Sequence, residues 1–294
     1  MRHDTEKQWI RYTVTALAVM LLTLGCTAPV GAPDPSEVPE PEPVDQPADD
    51  PGEDPGDQPT DQPTDQPDDD VSPEIDRQHI GIDFDSATAG YTAEGFAGAG
   101  IVHNPPLGYL DAEGWQILGF SDGDLLYGEE ATEGDFARGV STGGVGIGGL
   151  YAFEVETDNM ALGVQPTGDD FSPGSIAMRV PVTLETVAVL TVEYTLWVYN
   201  DQNRSSRWWF TFSSDNETWI EVPGLELFTP PEADTSPRWE PTRFSRTVDV
   251  SSLGITSGTT LHLRWSSEDH SGTGGRDEAA IDDIEVVLTG ESGV

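Results

Sequence analysis

An all-β fold, a two-sheet antiparallel β-sandwich, is predicted for residues 79–294 by three observations. Apolar and polar residues alternate with a period of two through the long apolar runs. No segment sustains a helical period, and clusters of Gly, Pro, Asp and Asn interrupt the runs at short intervals. About ten short strands separated by turn signals are the pattern of two packed sheets.

Taken in chain order, short strands are predicted at "IGIDF" (80–84), "WQILGF" (115–120), "GLYAFEV" (149–155), "MALGV" (160–164) and "SIAMRVPV" (175–182). In "AVLTVEYTLWVYN" (188–200), Leu190, Val192, Tyr194, Leu196 and Val198 share one face, with Glu193, Trp197 and Tyr199 on the other. In "RWWFTFSS" (207–214), Trp208, Phe210 and Phe212 oppose Arg207, Trp209 and Thr211. "TWIEV" (218–222) and "FSRTVDV" (244–250) follow. In "TTLHLRWSS" (259–267), Leu261, Leu263 and Trp265 alternate with His262 and Arg264. The last strand is "IDDIEVVL" (281–288), where unbroken alternation puts Asp282, Ile284, Val286 and Leu288 on the core face.

Two other segments precede this domain. Residues 1–26 carry Arg2, Lys7 and Arg11 ahead of the short apolar run "VTALAVMLLTLG", the layout of an export signal and too short for a comfortable membrane span. The run ends at Gly25–Cys26 and resembles the lipobox of bacterial lipoproteins, with Thr23 where that motif usually has Leu. The resemblance implies lipidation of Cys26, a membrane partner reached through the lipid, and an outer-membrane or cell-surface location, since Thr27 follows where Asp would signal inner-membrane retention. Cys26 is also the only cysteine, so the exported part has no disulfide. Residues 27–78 are rich in Pro, Asp and Glu, repeat "DQP" four times and contain no aromatic residue. Such a chain buries too little apolar surface to offset its entropy and is expected to be a disordered stalk, on the order of 100 Å long when extended.

The domain itself carries 35 acidic and 9 basic residues, a net charge of −26, and every basic residue in it is Arg. A field of that sign repels nucleic acid and anionic lipid and suits a protein kept soluble in salt.

Several stretches resemble a β-sandwich module of secreted bacterial proteins that accompanies extracellular nucleases and lamin-tail domains. They are "DFARGVSTGGVGIGGLYAFEV", "ALGVQPTGDDFSPGSIAMRV", "VEYTLWVYNDQNRSSRWWFTFSSDNETW" and "LHLRWSSEDHSGTGGRDEAAIDDIEV", of which "YNDQNRSS" and "GGRDEAAIDDI" are the most specific. A looser likeness runs to concanavalin-like and carbohydrate-binding jelly rolls. The first resemblance implies a module without catalysis of its own. The second implies a first strand lying beside the last and, in some members, a structural calcium there.

An inward Asp282 requires a cation, because a lone buried carboxylate is costly. Arg276 is one candidate. A structural Ca²⁺ held by Asp83, Asp85, Asp277 and Asp282 is the other. Catalysis by Asp282 and Asp283 has less support, as no nucleophile stands near them. "GVSTG" (139–143) fits G-x-S-x-G but lacks the strand and helix that a nucleophile elbow needs. No H-E-x-x-H or cysteine cluster suggests zinc.

The residues that alternation turns outward carry the functional expectation. Trp197, Tyr199, Arg207, Trp209, His262 and Arg264, with Asn200, Asp201 and Arg204 in the loop "NDQNRSS", combine aromatic planes with hydrogen-bonding groups, as sugar rings require. The same tryptophans are equally suited to a second packed layer, with Arg204 holding a polar turn. The sequence therefore predicts a non-catalytic, lipid-anchored surface module that binds polysaccharide. The alternatives are a structural or adhesive protein that contacts a surface protein and, remotely, a secreted hydrolase.

Overall fold

A computed structural model describes residues 76–291 of the chain, apart from 122, 168–170 and 172. The signal segment with Cys26, and the stalk to residue 75, lie outside the described residues. The described strands are β1 (Arg77–Ile82), β2 (Ile101–Val102), β3 (Leu110–Asp111), β4 (Trp115–Ser121), β5 (Gly123–Leu125), β6 (Val140–Ser141), β7 (Gly149–Glu156), β8 (Asn159–Gln165), β9 (Gly174–Pro181), β10 (Val189–Tyr199), β11 (Arg204–Ser213), β12 (Ile220–Phe228), β13 (Trp239–Asp249), β14 (Thr260–Gly272) and β15 (Glu278–Thr289). Two 3₁₀ turns, Gly134–Phe136 and Ser251–Leu253, are the helical elements among these residues.

The strands form two large sheets. One has seven strands, in the order β13-β10-β15-β8-β7-β6 with β1 also on β15; the other has six, in the order β12-β11-β14-β9-β4-β5. The strand orders correspond: β8, β15, β10 and β13 in the first sheet match β9, β14, β11 and β12 in the second. Each chain-consecutive pair is thus divided between the sheets, which is how a jelly roll wraps. Pairing is antiparallel except for β6 with β7 and the small β2–β3 pair. The first strand does lie against the last, with Arg77 opposite Thr289 and Ile82 opposite Ile284.

Alternation sets the core as expected. Leu190, Val192, Tyr194 and Leu196 of β10 meet Trp208, Phe210 and Phe212 of β11 and Leu261, Leu263 and Trp265 of β14 in one buried cluster. Phe120 stacks on Trp208, and Tyr194 packs edge-on to Trp265. The same topology corrects one expectation: β10 belongs to the seven-stranded sheet, whereas β11 and β14 belong to the six-stranded one. Their outward residues therefore occupy opposite faces of the sandwich and cannot form a single platform.

The last strand also departs from simple alternation. Glu193 pairs with Glu285 but Thr195 pairs with Asp282, so Asp283 and Ile284 together oppose Tyr194. Asp283 takes up the extra residue with a left-handed φ of 49°. Beyond this bulge Ile284, Val286 and Leu288 face the core; before it Ala279 and Ile281 do so. Asp282 therefore shares the outer face with Ala280, rather than the inner face that alternation predicted.

Candidate functional site

The outer face of the six-stranded sheet follows from its cross-strand register. Ser213, His262 and Arg179 form one row, Thr211, Arg264, Ala177 and Gln116 the next, and Trp209, Ser266, Ser175 and Leu118 a third. Over these rows three aromatic rings each carry a guanidinium. Arg264 lies 3.6 Å from the ring centroid of Trp219, Arg179 lies 4.0 Å from that of Tyr127, and Arg207 lies 4.8 Å from that of Trp209. All six side chains are partly exposed. His262, only 7% exposed, packs edge-on to Tyr127 at 5.5 Å and to Trp219 at 6.4 Å. Burial, and then the nearby Arg179, push its pKa below the ordinary histidine range, so it is neutral at pH 7. Arg207 is balanced by Glu221, Glu226 and Glu268. Arg264 donates from Nε to Thr211 Oγ1 at 3.2 Å.

Four of the predicted ligand residues, Arg207, Trp209, His262 and Arg264, thus come together here. Trp219, Tyr127 and Arg179 were missed. Alternation in "TWIEV" and "SIAMRVPV" already placed Trp219 and Arg179 opposite Ile220 and Met178, and so carried the signal. Tyr127 follows the short strand β5 in a loop and offered none.

Trp197 is corrected. It is 4% exposed and packs with Tyr151, Phe153, Trp239 and Ala280 in a second apolar layer on the outer face of the seven-stranded sheet. The loop before β7 covers that layer: Trp239 Nε1 donates to Thr142 O at 3.0 Å, and Val145 packs against it. Tyr199 lies half-buried under Gly143, whose left-handed backbone runs so close that a Cβ would sit 2.8 Å from the ring. Gly163 leaves space in the same way for Phe153, at 2.3 Å from an added Cβ. Asn200 is buried and donates to Glu232 O, and Arg204 holds Asp269 and Gly274 O. These residues build an end of the sandwich, not a ligand surface.

At that end Asp277 and Glu278 are 3% and 0% exposed. Asp277 Oδ1 accepts from Gln202 N at 2.9 Å, and Glu278 Oε1 from Val145 N at 2.5 Å. Burial first, with repulsion from Asp201 adding to it, pushes Asp277 up to about 6 and Glu278 up to about 7. Carboxyl groups perturbed in this way suit acid–base chemistry when a substrate can reach them. These two are covered, and their raised values reflect their burial.

Of the four carboxylates expected around calcium, Asp85 and Asp282 are neighbours. Asp283 N and the Asn159 side chain hydrogen-bond to Asp282, and Asp85 Oδ1 accepts from Met160 N at 2.7 Å. Burial, then the charges of Asp283 and Asp85, push Asp282 up to about 7. Asp83 is spent on its own turn, accepting from Ser86 N and Oγ, and Asp277 lies at the start of β15. Arg276 does not reach Asp282; it pairs with both oxygens of Asp269 and lies over Phe171. Among the described residues no three His, Cys, Asp or Glu side chains are grouped to hold a metal. Two buried oxygens beside the bulge, Asp282 Oδ2 and Asn159 Oδ1, have no hydrogen-bond partner. A hard cation there would draw on these and Asp85, together with backbone oxygens or water.

No protein-family model matches the chain, and no curated protein does. Solved structures give distant likenesses to β-sandwich modules. The K3 cleaved adhesin domain of Lys-gingipain from Porphyromonas gingivalis W83 is 13% identical, with 72% of this chain and 99% of that one covered at a TM-score of 0.37. TmCBM27, a carbohydrate-binding module described for specific mannan recognition, is 18% identical, with 47% and 79% covered at 0.31. A carbohydrate-binding module of family 29 is 10% identical, with 73% and 90% covered at 0.31. Likeness at this level carries no ligand or activity over to this chain.

Proposed function

We propose that this is a non-catalytic module that binds polysaccharide on the outer face of its six-stranded sheet and is displayed at the cell surface through a lipid on Cys26. The observation that carries the reading is the set of three partly exposed aromatic rings, Trp209, Trp219 and Tyr127, each paired with an arginine. A sugar presents C–H bonds to a ring and hydroxyls to the donors beside it, and guanidinium groups held at ring faces supply such donors in fixed directions. Trp209 and Trp219 are about four residues apart along the β11 register, roughly 13 Å at strand spacing, so a chain of several sugars could touch both.

The test is retention of the full-length protein on a panel of immobilised polysaccharides, comparing parent, Trp209→Ala, Trp219→Ala and Trp197→Ala. Loss of retention in the first two, with little change in melting temperature, is the expected result. Trp197→Ala should instead cost stability, about 3–5 kcal/mol, and leave retention by the folded protein unchanged. If no polysaccharide retains the parent, the face is not a glycan platform. A structural or adhesive role through protein contacts would then be favoured.

A further inference from the structure

The three arginine–aromatic pairs are not equivalent, and the difference points to a class of ligand. Arg207 is surrounded by Glu221, Glu226 and Glu268, and Arg179 faces Glu113 at 3.4 Å. Arg264 has no carboxylate within ion-pair distance among the described residues. Its neighbours are the Trp219 ring, the Thr211 hydroxyl and Tyr127. Arg243 and Arg246 of β13 also lack a carboxylate partner among the described residues, but neither of them lies against an aromatic ring.

The surroundings of Arg264 hold it in place. Thr211 fixes Nε, the Trp219 ring supports one face of the guanidinium, and His262, buried with Nδ1 unpartnered, packs against both Trp219 and Tyr127. The terminal Nη donors are then the groups left for a ligand, and a planar fork of two N–H groups matches a carboxylate or sulfate better than a neutral hydroxyl.

We propose that Arg264 receives an anionic substituent of the polysaccharide, a uronate carboxylate or a sulfate ester, while a sugar ring rests on the Trp219 side of the face. The Arg207–Trp209 end, where three glutamates face one arginine, disfavours an anion and takes an uncharged sugar. This assignment rests on the polysaccharide reading above and specifies the polymer.

Affinity electrophoresis of the full-length protein tests it, using gels that contain polygalacturonate, the same polymer with its carboxyls reduced, a sulfated galactan and the unsulfated galactan. The expected result is retardation by at least one anionic polymer that is about tenfold stronger than by its uncharged twin, the preference disappearing in Arg264→Gln and surviving in part in Arg264→Lys. Which anionic polymer retards the protein distinguishes uronate from sulfate. Arg264→Gln should keep the parent's melting temperature, which shows that the variant is folded. Equal retardation by charged and uncharged twins, or a preference that persists in Arg264→Gln, overturns the anionic subsite but leaves the polysaccharide reading standing. Retardation by no polymer overturns both.

Discussion

Asp282 shows how a single residue can link this fold to pH. Its side chain is 1% exposed on the outer face of β15, beside Asp85 and Asp283, and burial raises its pKa to about 7. A carboxyl group raised in the folded state holds a proton that the unfolded chain releases. Its stabilising contribution is therefore present near pH 4 and is lost as the pH rises towards 7. Glu278 and Asp277 shift in the same direction and add to the slope. The melting temperature should accordingly fall between about pH 4 and pH 7. Asp282→Asn should raise it at pH 8 and flatten part of that fall, whereas an unchanged profile would show that Asp282 is ionised without cost. The structural calcium expected at Asp83, Asp85, Asp277 and Asp282, of which Asp85 and Asp282 are neighbours, is read in the same experiment. A rise in the parent's melting temperature on adding Ca²⁺ at pH 8, absent in Asp282→Asn, would support it; no rise in the parent would remove it.

At the scale of the element, the bulge in β15 decides where those carboxylates point. Asp283 occupies the left-handed region, is exposed and accepts a hydrogen bond from the Thr195 hydroxyl at 3.1 Å. Glycine adopts that backbone freely, so Asp283→Gly should change stability by no more than about 0.5 kcal/mol. A β-branched residue meets its own carbonyl there, and Asp283→Val should destabilise the domain by about 1–2 kcal/mol; chemical denaturation of both variants measures the difference. The same bulge marks where the sequence ceased to be legible. Where alternation runs unbroken, in β10, β11 and residues 261–265 of β14, it revealed the core face directly, because a period of two leaves each residue one place to go. One extra residue inverts that phase, and nothing in "IDDI" states which aspartate is the extra one. The outer site was half legible for a related reason. Alternation tells outward from inward along each strand, but not which sheet a strand joins, so Trp197 was grouped with Trp209 although they lie on opposite faces.

For the whole molecule, the acidic domain and the segments before it raise the question of display. Lipidation of Cys26 would place the domain beyond the stalk, and metabolic labelling with an alkyne fatty acid tests this: label should enter the parent and not Cys26→Ala, and label in neither would remove the anchor. The domain that such a stalk would carry has one further property. Gly290 N donates to Asp76 O at 2.9 Å, and β1 lies antiparallel to β15, so the chain enters and leaves the fold at a single point. Joining those two ends would close only a short loop, at little entropic cost. A fold of this kind can be spliced into a surface loop of another protein, or reopened at one of its own turns, without parting the two sheets. Its architecture is that of a cassette, indifferent to what lies on either side of it in the chain.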